Sequence, residues 1–344
     1  MDQNETMIKP IRNSGLDVIR TFAILFIIAG HFFSLHTAFK SSIFEGFSIF
    51  IQAFVSFLFQ TGVPLFLLLT GYLNANRGIS RKYYKGIFKV ITPYLFFSLI
   101  AVVFRKYYLL ENFSWTQLFL KILDFSTIPY AWYIEMWIGL FFLLPFLNIL
   151  YKGIQTKRHK QLLIFTLFVL TAFPSTFNRY GMYLIPAFWQ SIFPLTFYFI
   201  GSYIQEYQPH VNKKILIGII CGICLINPLF NLLFVKEHTM IHIAGDANGI
   251  FGTILAVLFF LLCYRIKVKQ KPINKIITQV SLYSLDMYLC RYLFDSIYYP
   301  YFKENYFISQ SQFGIYFFVI VPLVFISSFI MAWLRDLLFS VFEK

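Results

Sequence analysis

Apolar runs follow one another along the whole chain, near 16–38, 48–73, 86–104, 132–150, 161–173, 189–207, 214–234, 248–264, 277–298 and 314–340. About 20 residues of helix cross a hydrocarbon core roughly 30 Å thick. Ten such segments leave room for short links and for little else. In the hydrocarbon core every backbone N–H and C=O must be satisfied within the protein, so segments of this length are helices. The sequence therefore predicts an all-α integral membrane protein of about ten transmembrane helices. A short cytoplasmic segment, 1–14, precedes a single membrane domain, 15–344. Composition agrees, with 58% of residues hydrophobic and 13% charged, against about 25% charged in an ordinary soluble chain. The run 161–173 is short and is expected to extend into the Pro174 region. The first run is too long for a signal peptide, lacks a small-residue cleavage site and carries an Asp, an Arg and a His.

A net charge of +14 would suggest nucleic acid in a soluble protein. Here the Lys and Arg residues sit in the links. With the N-terminus in the cytoplasm, 20 of the 29 fall on the cytoplasmic side and seven outside, while Arg20 and Arg291 lie within spans. That bias fits the positive-inside rule with both termini cytoplasmic in a multi-pass cell-membrane protein. Membrane lipid is then the expected surrounding, and no nucleic-acid partner is expected.

Several patterns have ordinary explanations. Cys221 and Cys224 form a C-x-x-C inside an apolar run with no second ligand pair, so they read as packing residues. His238, His242 and Asp246 have a spacing that could hold a metal but lack a further ligand, and no metal is expected. Gly218 and Gly222 form a G-x-x-x-G, which predicts close helix packing. No phosphate-binding loop and no G-x-S-x-G elbow occurs.

The informative residues are the ionisable ones inside spans, which are costly there and mark either a functional path or a structural pair. Asp17 and Arg20 are three apart and share a helix face. His31 follows Arg20 by eleven residues, close to three turns, so it lies on the same stripe about 16 Å along the axis. An Asp–Arg interface pair plus a packing histidine is the structural alternative.

These residues also carry a resemblance. Leu16-Asp17-x-x-Arg20 with His31 eleven residues on resembles the signature of the membrane acyltransferase-3 family, integral membrane O-acyltransferases of bacterial surface polysaccharides. Gly62-Val63-Pro64-Leu65-Phe66 with Thr70-Gly71-Tyr72-Leu73, Lys89 to Tyr94, Trp132-Tyr133-Ile134 with Leu144-Pro145, and Ser281 to Leu289 are similar to further segments of that family, in the same order. The resemblance implies ten membrane helices and transfer of an acyl group, commonly acetyl, from cytoplasmic acyl-CoA to a hydroxyl of a glycan or lipid-linked sugar. Acyl-CoA is then a co-substrate, and no cofactor is tightly bound.

Within that expectation His31 is the general base, since neutral imidazole suits proton abstraction from a hydroxyl. Arg20 stabilises a CoA phosphate or the oxyanion, and Asp17 holds Arg20. Arg81, Lys82, Lys85 and Lys89, with the basic link 265–275, are expected to help bind the CoA head. Trp132, Tyr133, Glu135 and Arg291 are candidates for the acceptor end. An interface position explains Glu135 equally well, and an aromatic belt explains Trp132 and Tyr133. Where many members have "YL-x-H", this sequence has Tyr288-Leu289-Cys290-Arg291, so Arg291 is free to pair with Asp295 one turn on. With no soluble domain after the last run in this sequence, transfer is expected to finish inside the membrane domain. A transporter or flippase for a polysaccharide precursor would use the same buried charges, and so would a sensor or scaffold.

Overall fold

The computed structural model describes residues 12–34, 46–178, 183–234, 247–306 and 310–342. His238, His242, Asp246 and most of the segment 1–14 lie outside the described residues. Most of those described are helical, and no strand occurs among them. The helices are α1 (Ser14–Ser34), α2 (Gly46–Phe59), α3 (Gly62–Asn74), the short α4 (Arg81–Lys85), α5 (Phe88–Tyr107), α6 (Trp115–Leu123), α7 (Trp132–Gly153), α8 (Lys157–Phe177), α9 (Phe193–Tyr207), α10 (Lys213–Phe234), α11 (Ile250–Cys263), α12 (Lys271–Asn305) and α13 (Gln310–Phe342).

Among the described residues seven helical segments are long and apolar enough to cross a bilayer: 14–33, 50–74, 81–107, 132–153, 157–177, 213–230 and 314–340. The expected count of ten also needs α9, α11 and α12. The first two have 15 and 14 residues, short of a full crossing. α12 has 35 residues and reaches about 52 Å, but charged residues interrupt its apolar run, and it buries Asp286, Arg291 and Asp295. The short run near 161–173 extends both ways into the 21 residues of α8, through Pro174.

α1 forms the centre of the bundle and packs on α2, α3, α11, α12 and α13. Ile19, Ala23, Ile24, Ile28 and Phe32 are its fully buried stripe, and their recurring four-residue spacing keeps them on one helix face. α2 and α3 divide one apolar run at Thr61, whose hydroxyl and N–H both donate to the Leu58 carbonyl. Pro64 then falls in the first turn of α3, where no amide donor is needed.

The most extensive helix pairing is α3 against α9, and two glycines permit it. A Cβ on Gly71 would run into the Tyr198 carbonyl oxygen, and one on Gly201 into that of Leu68. Both obstacles are backbone, so neither can swing aside. Gly71→Ala or Gly201→Ala should force the helices apart at a cost of about 1–3 kcal/mol. The check is thermal unfolding in detergent, which should show a lower midpoint for each variant and no change for Gly139→Ala, where a Cβ meets open space. The G-x-x-x-G of α10 behaves otherwise. Nothing lies within 4 Å of a Cβ at Gly218 or Gly222, and both are exposed. The close packing expected there falls on α3 and α9, because α10 turns that face away from its neighbours.

Candidate active site

Three features lie in sequence along α1. At its beginning, which defines the near end of the bundle, Asp17 is buried and joins three groups. Arg12 donates to both carboxylate oxygens, Nε to Oδ2 at 2.6 Å and Nη2 to Oδ1 at 2.8 Å. The Ser281 hydroxyl of α12 donates to Oδ1 at 2.6 Å. Arg20 stands 3.8 Å from the same oxygen and donates to Ser281 Oγ at 3.4 Å. The stripe predicted Asp17 and Arg20 as a pair. The bidentate partner is Arg12 instead, because the residues before α1 fold back over its first turn. Asn13 Oδ1 accepts from Gly15 N–H at 2.9 Å, an N-terminal cap. The Ser14 hydroxyl donates to Ile266 O and accepts from Val268 N–H, which ties this corner to the 264–270 link.

Beyond Arg20 opens a cavity of roughly 220 Å³ between α1, α3, α5, α7 and α12. Arg20, Leu73, Asn74 and Val90 line it toward the near end; Ile27, Tyr133, Ile134 and Tyr288 line it toward the far end. Its walls are largely apolar. Polar groups come from Arg20, Thr70, Asn74, Tyr133, Ser284 and Tyr288.

One turn past Ile27 comes His31, three residues from the end of α1. Arg291 of α12 faces the edge of its ring, Nη1 2.9 Å from Nδ1 and Nη2 3.2 Å from Nε2. The same Nη1 donates to Asp295 Oδ2 at 3.2 Å, and the Tyr130 hydroxyl donates to that oxygen at 3.1 Å. The guanidinium carbon sits 3.8 Å over the Tyr130 ring and 5.3 Å from the Tyr288 ring. Tyr130 is also edge-on to His31, with centroids 4.5 Å apart, and its carbonyl accepts from the Tyr288 hydroxyl. Arg291 and Asp295 are 0% and 1% exposed. A fully buried ion pair is tolerated only where hydrogen bonds offset its desolvation, and here Arg291 Nη1, shared between Asp295 and the ring, holds the imidazole in one orientation.

The loop that supplies Tyr130 is anchored from α5. Arg105, itself buried, donates to the carbonyls of Ser126 and Thr127 at 3.1 and 3.0 Å and pairs with Glu111 at 2.7 Å.

Of the residues singled out from the sequence, Asp17 and Arg20 meet at the near end. His31 and Arg291 meet at the far end. Tyr133 lines the cavity between. Trp132 and Glu135 are exposed and lie outside the cavity lining. Arg81, Lys82, Lys85 and Lys89 are exposed on α4 and the first turn of α5, beside Val90 but outside the lining of this cavity. Arg12, Ser281, Tyr288 and Tyr130 join the site without having been singled out for a role. Only the serine and Tyr288 had a signal, since both stand in the late motif. Nothing in the spacing marks Tyr130, which arrives from a loop.

An interior cavity with cations at one end and a clamped histidine at the other defines a helical membrane protein built for chemistry or passage on a buried ligand. A family model described as an acyltransferase domain matches residues 13–333. The chain belongs to the acyltransferase-3 family and is a membrane acyltransferase. No curated protein and no solved structure matches it.

Proposed function

We propose that the protein takes an acyl group, acetyl in the simplest case, from acyl-CoA on the cytoplasmic side and gives it to a hydroxyl of a cell-surface glycan or lipid-linked sugar. The observation that carries this reading is the order along α1: Arg20 at the near end of a cavity, His31 and Arg291 just past its far end. The near end is the cytoplasmic one by the distribution of Lys and Arg. Ten crossings with both termini cytoplasmic in the plasma membrane complete the proposal. The acyl thioester enters past Arg20, and the apolar cavity holds the arm and excludes water.

Arg291 passes from the His31 imidazole to the developing oxyanion, and the ring nitrogen it frees takes the proton of the acceptor hydroxyl as the hydroxyl oxygen attacks the thioester carbonyl carbon. The resulting oxyanion is within reach of the Arg291 N–H groups, which already stand at the imidazole edge. Collapse breaks the C–S bond, and the departing thiolate receives the proton from His31. Ester and free CoA leave on opposite sides. Arg20, about 16 Å away by helix rise, then serves the donor arm or a phosphate and Arg291 serves the reacting carbonyl.

Acyl-CoA consumption separates this from a transporter using the same charges. Purified protein in lipid should release free thiol from acetyl-CoA when a glycan acceptor is present. Glycan movement without thiol release would support the transporter.

A further inference from the structure

A second chamber opens at the near end, on the other side of Asp17 from the cavity. It encloses about 700 Å³, and its walls include Arg12, Tyr72, Gln208, Tyr264, Arg265 and Lys267. These come from the chain before α1, the ends of α3, α9 and α11, and the link that follows. Ligand sites run from about 300 to 1,000 Å³, so the chamber has room for a nucleotide where the interior cavity does not. Among the described residues three cations line it and no carboxylate does. Asp17 lies beneath Arg12 and balances that one charge. Arg265 and Lys267 remain as an excess of positive charge in a concave, water-facing site, which concentrates anions.

The chamber is also held in shape. Arg265 donates to the Gln208 carbonyl and stands 2.8 Å from His210 Nδ1. The Tyr264 hydroxyl donates to Pro209 O at 2.5 Å. The Ser14 hydroxyl fixes the link to the first turn of α1. Tyr264 and Tyr72 stand edge to face, with centroids 6.3 Å apart, and give the basic chamber an aromatic wall on which a purine can lie. Arginine forks and a lysine suit phosphate esters. By contrast Lys82, Lys85 and Lys89 are point charges on an open surface.

We propose that this chamber is the docking port for the phosphorylated nucleotide end of the acyl-CoA donor, and that Arg12 joins it to the interior cavity. Arg12 lines the chamber, Asp17 holds Arg12, and Arg20 lines the cavity. A donor seated with its phosphates on Arg265 and Lys267 therefore has a path past Asp17 and Arg20 toward His31. The proposal rests on the acyl-CoA reading for the identity of its ligand. The shared chemistry, a phosphate ester, also occurs in anionic lipid headgroups.

The test uses the full-length protein in phosphatidylcholine bilayers, with adenosine 3′,5′-bisphosphate as the binding probe. Wild type should bind it saturably. Arg265→Ala/Lys267→Ala and, separately, Lys267→Glu should weaken binding on the order of 10- to 100-fold, as expected for lost charge-assisted hydrogen bonds. Lys267→Glu breaks no side-chain hydrogen bond among the described residues, so it guards against a variant that fails to fold. Thiol release should follow the same pattern. The kcat/KM ratio of acetyl-CoA to acetyl-pantetheine, which lacks the nucleotide and its phosphates, should drop in both variants by the same factor. Unchanged binding in both variants would overturn the port. So would absence of binding in wild type, or binding displaced by phosphatidylglycerol but insensitive to both substitutions. Tight binding lost in the variants, with no thiol release from either donor, would leave the port standing and overturn the donor reading beneath it.

Discussion

His31→Ala should leave a protein that is made, inserted and folded, and that transfers acyl groups about 10²–10⁴-fold more slowly, the usual cost of a lost general base. Folding should survive because the side chain is only partly buried and lies near the end of α1. The change leaves Arg291 its bond to Asp295. His31→Gln sharpens the measurement, since an amide can still meet a guanidinium but is not a base at neutral pH. Both variants should show wild-type thermal unfolding in detergent and little thiol release from acetyl-CoA. Near-normal acetylation by either would remove His31 from the chemistry and leave it as a packing residue.

The second large effect concerns Arg291, which combines two roles that mutations can separate. Arg291→Ala leaves the buried Asp295 carboxylate with its cation gone, a loss of about 3–5 kcal/mol, so yield and unfolding temperature should fall together with activity. Arg291→Leu with Asp295→Leu removes both charges and fills the space, which should restore much of the stability and none of the turnover. Arg291→Lys keeps the charge but loses the planar fork that stands against the edge of the imidazole. It should be stable and lower kcat more than it raises KM for the donor. Arg20→Lys, at the other end of the cavity, should do the reverse. If the Leu/Leu pair were as active as wild type, the buried pair would be purely structural and the oxyanion would need another donor.

The sequence made the main divisions of this protein readable because membrane helices announce themselves by length and apolarity. α1 was legible as a span, expected over 16–38 and found as Ser14–Ser34, and so was the i, i+4 pairing of Arg291 with Asp295. α12 was the harder case. Its charges make it too polar for a span by composition, and only their burial against α1 and α13 explains how it sits in the bundle. Helical spacing could order Asp17, Arg20 and His31 on one stripe, but it could not say which neighbour each would find. That choice depends on long-range packing. Asp17 took Arg12 because the chain folds back at the Asn13 cap, and His31 took Arg291 because α12 crosses α1. Gly218 and Gly222 show the same limit, since a small-residue motif marks a possible contact and the bundle decides whether a helix is there to use it. Tyr130 depends on a loop held by Arg105, and a loop carries no period from which to read it.

In the proposed reaction donor and acceptor meet in one interior path that is entered from opposite ends. Membrane vesicles of known sidedness test it, with radiolabelled acetyl-CoA, which does not cross the bilayer, added to the outside. Inverted vesicles expose the end that bears Arg12, Arg20 and Arg265, and they should transfer label to glycan in a reaction that His31→Ala abolishes. Right-side-out vesicles should transfer none until they are permeabilised. Equal transfer in both, or transfer only in the right-side-out preparation, would contradict the account.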